Sequence, residues 1–90
     1  MKLLELIRSR TDWRVDETVY VMLPWSVDAE AVVLVGEVDT TEPIVRSGKI
    51  YDYFLEGSII REMLEDLDIE VGNIGAEVCG RLIRYALDDA

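Results

Sequence analysis

The side chains with the most chemistry in this chain are its carboxylates. Nineteen Asp and Glu stand against nine Lys and Arg, and histidine is absent. Without histidine the chain lacks the commonest general base, the Ser–His and Cys–His nucleophile pairs and most transition-metal sites. Two carboxylates can hydrolyse a glycosidic bond, but only inside a cleft that a chain of 90 residues can hardly build. Cys79 is the single cysteine. It falls mid-helix among small residues, with only Arg81 and Arg84 near enough in sequence to lower its pKa, and reads as a buried structural thiol. Gly48-Lys49 has the ending of a phosphate loop, yet Pro43 stands where the loop needs its first glycine and Ile50 where it needs Ser or Thr. A hairpin turn is the simpler reading. Asp66, Asp68, Glu70 and Glu77 fall at the oxygen-ligand spacing of a calcium loop between two helices. That loop turns sharply on a glycine where this chain has Val71, and Gly72 comes one place late. The expectation is a solvated acidic connection with no metal, no cofactor and no catalysis.

Function must then lie in where the acids sit. Residues 1–27 balance, whereas residues 28–45 hold Asp28, Glu30, Glu37, Asp39 and Glu42 with no base. Residues 62–80 hold Glu62, Glu65, Asp66, Asp68, Glu70 and Glu77, again with none. These eleven acids carry more than the whole net charge of −10, because the remaining segments nearly cancel, with one base in excess. A field of this sign repels nucleic acid and anionic membrane and attracts basic protein surfaces. Solubility alone, or adaptation to a salty cytoplasm, also explains acidity. The two base-free blocks favour a binding face, provided the fold brings them to one side. Glu62, Glu65 and Asp66 recur at helical spacing, about 5–6 Å between neighbours, comparable to phosphates along a nucleic-acid strand. Trp25, in a loop between Pro24 and Asp28, is the candidate hydrophobic anchor, with Tyr51 and Tyr53 next.

The elements that must position these groups follow from periodicity. Leu3, Leu4, Leu6 and Ile7 give residues 2–9 a short amphipathic helix that covers the core, with Trp13 beneath it. Residues 18–23 and 31–38 are β-branched runs and read as central strands. Residues 44–46 and 49–55 read as a hairpin across Ser47-Gly48, with Tyr51 and Tyr53 on one face and Ile50, Asp52 and Phe54 on the other. Helical spacing also runs through this segment, so a helix from Tyr51 through Gly57 competes with the second arm at a cost of about 1 kcal/mol. From Ser58, a plausible N-cap, Ile59, Ile60, Met63, Leu64 and Leu67 stripe a helix. After a break at 68–73, residues 74–87 form the last helix, with Ile74, Val78, Leu82 and Tyr85 inward, Cys79 and Ile83 beside them, and Glu77–Arg81 and Arg84–Asp88 as i,i+4 pairs. Ala76 and Gly80, with Gly75 and Cys79 beside them, make a strip permitting close helix approach.

The expected architecture is a single α+β domain over residues 1–90: a short N-terminal helix, an antiparallel meander of three to four strands, and two C-terminal helices packed on one face. An unpaired cysteine and the lack of a signal-like or membrane-length apolar run point to the cytoplasm. The leading functional expectation is a non-catalytic inhibitor, monomeric or homodimeric, that binds a basic active-site or nucleic-acid-binding surface of a partner protein, without binding nucleic acid or membrane. Toxin-neutralising immunity proteins and phage anti-defence proteins of the nucleic-acid-mimicking, anti-CRISPR-like kind are two bacterial or phage settings for that mechanism. The alternative is a structural or adaptor subunit that self-associates through the last helix.

Overall fold

A computed structural model describes residues 1–10, 12–36, 42–67 and 73–89. The element order is α1 (Leu3–Arg8), β1 (Glu17–Val21), β2 (Ala31–Val35), β3 (Ile44–Arg46), β4 (Lys49–Glu56), α2 (Gly57–Asp66) and α3 (Ala76–Asp89). The α+β class, the short first helix, the antiparallel strands and the paired C-terminal helices are as the periodicity predicts.

The strand order is β2-β1-β4-β3, which departs from a plain meander. Two hairpins, β1–β2 and β3–β4, are joined edge to edge by pairing of β1 with β4. β1 therefore lies inside the sheet, and all five of its residues are buried. The competing helix over residues 51–57 does not form, because Lys49–Glu56 is paired along its length, with β3 at Lys49, Ile50 and Tyr51 and with β1 at Asp52, Tyr53, Leu55 and Glu56. Ser47 and Gly48 both hold positive φ, 52° and 76°, the conformation of a two-residue type I′ turn. A register shift between Val19 and Tyr20 lets Phe54 and Leu55 both enter the core. Tyr20 and Tyr53, opposite each other in register, point to the other face and meet edge to face at 5.9 Å.

One layer of helix lies against the core side of this sheet. α2 packs on β1 and β4, and α3 packs on β4 and α1. Val19, Val21, Phe54 and Leu55 from the sheet meet Leu3, Leu6 and Ile7 of α1, Ile60 and Leu64 of α2, and Cys79, Leu82 and Ala86 of α3. Burial of Ile60 and Leu64, at about 1.5–3 kcal/mol each, is what holds a ten-residue helix too short to be stable alone. Trp13 lies in the same core.

Three local expectations need correction. The residue before the first turn of α2 is Glu56, in extended conformation and without a side-chain cap, so Ser58 lies inside the helix. The strand's pairing runs to Glu56 and fixes the start there. α3 begins at Ala76, with Ile74 buried ahead of it in irregular backbone. Ile74 therefore does not set the phase of the helix, and its inward line is Cys79, Leu82 and Ala86 while Tyr85 turns outward, 40% exposed. Val38 and residues 68–72 lie outside the described residues.

Candidate functional site

α2 carries its acids on the side away from Ile60 and Leu64. Glu62, Glu65 and Asp66 are all exposed, and none of them has an ion pair among the described residues. The one base of the helix, Arg61, does not turn toward them. Its Nη1 donates to the Trp13 carbonyl at 3.2 Å, tying α2 to the turn before β1. Acids three and four residues apart on one helix face repel by a few tenths of a kcal/mol per pair. Glu65 and Asp66 also fall in the last turn, which holds no basic residue. There the partial negative charge of the helix end disfavours an anion by roughly 0.3–1 kcal/mol. The row is thus maintained at a cost to the stability of the free protein.

The first acidic block is placed differently. Asp28 and Glu30 lie in the β1–β2 loop, beside the start of the chain. Lys2 approaches Asp28 at 3.9 Å, and the Met1 amino group pairs with Glu30 at 3.0 Å. That amino group holds the Glu30 carboxyl below its ordinary range, first by hydrogen bonding and then by its charge. Glu42 is exposed ahead of β3 and is already engaged. Glu37 and Asp39 lie outside the described residues. The described acids of this block therefore have cationic or other partners, which the row on α2 lacks.

Trp25 is only half exposed. Its ring stands edge to face on Phe54 at 5.2 Å, and its Nε1–H donates to the Val21 carbonyl at 3.1 Å. The indole closes the end of the core, leaving one edge for solvent. Tyr51 is buried, so it is not an exposed anchor. Of the calcium-like constellation, Asp68 and Glu70 lie outside the described residues, while Asp66 and Glu77 are exposed on separate helices.

A polar cluster that spacing did not reveal sits under the same turn as Arg61. Glu17, 2% exposed at the start of β1, pairs with Arg10 and accepts the Arg14 backbone N–H at 2.8 Å. The Arg10 guanidinium lies over the Trp13 ring, 4.7 Å from its centre. The one sequence signal was a glutamate opening an apolar strand, which is an unusual place for a charge without a partner. Burial pushes the Cys79 thiol up to about 11, so it stays protonated at neutral pH.

On α3 the exposed side carries a shallow hollow of about 370 Å³ lined by Glu77, Gly80, Arg81 and Arg84. Glu77 and Arg81 make the expected i,i+4 contact, at 3.8 Å. Among the described residues no helix is long and apolar enough to cross a membrane. No protein-family model, curated protein or solved structure matches the chain.

Proposed function

We propose that this protein is a small non-catalytic inhibitor that uses the acidic row of α2 to occupy a basic surface of a partner protein. The observation that supports this best is the turning away of Arg61 to the Trp13 carbonyl, which leaves Glu62, Glu65 and Asp66 without a cation. A solvated face serving only solubility has no need to hold like charges at i, i+3 and i+4 beside the negative end of its own helix. A basic groove on another protein would supply the missing countercharge. The acids, set on a helix anchored by buried Ile60 and Leu64, reach that groove on a rigid support.

In this reading Asp28, Glu30, Glu37, Asp39 and Glu42 form a weaker, secondary acidic field, reduced where Met1 and Lys2 offset Glu30 and Asp28, and the exposed edge of Trp25 adds apolar contact. The partner is a toxin or a nucleic-acid-binding effector, met in the cytoplasm, whose active or binding surface is basic. Immunity to a toxin and phage anti-defence are the two settings that fit. Reversing Glu62, Glu65 and Asp66 to lysine tests the role. Capture of partners from the native host should be lost with that variant, and wild-type complexes should dissociate as salt rises. Capture by the reversed variant equal to wild type would remove the row from the interface.

A further inference from the structure

α3 presents a second surface with its own logic, independent of the acidic row. Ala76, Gly80, Ile83 and Leu87 recur at steps of four, three and four residues, the spacing of a seam between two paired helices. Ala76 and Gly80 are exposed, Ile83 is half-buried and Leu87 is 57% exposed. This line lies about 90° around the helix from the inward line of Cys79, Leu82 and Ala86, and of its four residues only Ile83 also packs against the core, with part of its side chain left exposed. Apart from the backbone of its own helix and its chain neighbours, nothing stands within 4 Å of the place a side chain on Gly80 would take, which leaves room for another helix to approach closely.

The charges beside the seam indicate what fits there. Glu77 and Arg84 each follow a seam residue, Ala76 and Ile83, and so flank the line on the same side. We propose that the face is a homodimer contact in which α3 of two copies pack antiparallel about a two-fold axis. Ala76 then lies against Leu87 of the second copy and Gly80 against its Ile83. The same register sets Glu77 opposite Arg84 of the second copy, and the symmetry repeats the pair. A parallel arrangement brings these charges toward the flank of Cys79 and Ala86, where there is no countercharge. Arg84 has no ion pair among the described residues, and Glu77 gives up only its loose contact with Arg81. Four seam positions make a small contact, so the dimer is a weak one that forms as concentration rises.

Sedimentation velocity on the full chain, from micromolar to millimolar concentration, tests this. The wild type should pass from monomer to dimer. Glu77→Arg and Arg84→Glu should each weaken dimerisation roughly tenfold, because both pairs become repulsive. An equimolar mixture of the two variants should recover it, since each then faces its opposite charge. Leu87→Glu should abolish it without rescue. Circular dichroism keeps the test independent of folding, as all three side chains are exposed. A wild type that stays monomeric throughout, single reversals that leave the dimer intact, or a mixture that shows no recovery would each overturn the proposal.

Discussion

At the scale of single residues, Gly57 has the tightest surroundings of the described glycines. A Cβ there would meet the Arg14 carbonyl and the Trp13 ring, each at 3.0 Å. Gly57→Ala should therefore destabilise by about 1–2 kcal/mol through overpacking, although alanine is the better helix former. A rise in the denaturation midpoint would contradict this. Ser47 poses the opposite case, a side chain in left-handed backbone with open space around it. Ser47→Asn should stabilise by about 0.5 kcal/mol, measured by the same unfolding curves, since Asn-Gly suits a type I′ turn better. For Glu17, whose partners are Arg10 and the Arg14 N–H, Glu17→Gln should cost about 2 kcal/mol at neutral pH. The turn at Ser47-Gly48 was legible because its chemistry is local. The Glu17 cluster was not, because it depends on how the segment between α1 and β1 folds back.

Among the elements, α2 is where legibility and its limit meet most clearly. Its apolar stripe and its acidic face follow from spacing alone. What spacing could not show is that Arg61 reaches Trp13, 48 residues away in sequence, leaving the acids without their nearest cation. Nor could it show that the helix begins directly from β4 without a side-chain cap. Glu56→Asp should supply one and raise stability by about 0.5–1 kcal/mol, provided the pairing of residue 56 with Thr18 persists. An unchanged unfolding midpoint would show that the strand end prevents the cap from forming. In α3 the inward face was misread by one position, Tyr85 for Ala86, because Ile74 reaches the core from outside the helix. Cys79 was read correctly, as a thiol enclosed by apolar neighbours. Its raised pKa means that folding favours the protonated form, so its stabilising contribution is complete below the ordinary value of 9.0 and is lost as pH climbs toward about 11. Thiol reagents should modify Cys79 at neutral pH only as fast as the protein opens. Rapid modification of the folded protein would contradict its enclosure.

For the whole molecule, composition gave the sign of the field but not its distribution. The pairing of β1 with β4 joins residues as far apart as Thr18 and Glu56, and no local pattern encodes that choice. It makes β1 an interior strand and gives α2 its bed across β1 and β4. The same fold brings Lys2 and the Met1 amino group beside Asp28 and Glu30, so these two acids of the first block are offset while Glu62, Glu65 and Asp66 on α2 have no ion pair among the described residues. If the α2 row is kept for binding at a cost to folding, the two properties should separate. The variant with Glu62, Glu65 and Asp66 reversed to lysine relieves the unfavourable helix end and lowers the net negative charge. Its thermal midpoint should equal or exceed that of the wild type. Parallel capture from the native host, with wild type and this folded variant as bait and partners identified by mass spectrometry, tests directly whether the α2 row binds a basic partner. If the row binds, wild type should hold a basic protein at low salt and release it as salt rises, and the variant should not hold it. The same protein held equally by both, or held by wild type without dependence on salt, would contradict binding by the row.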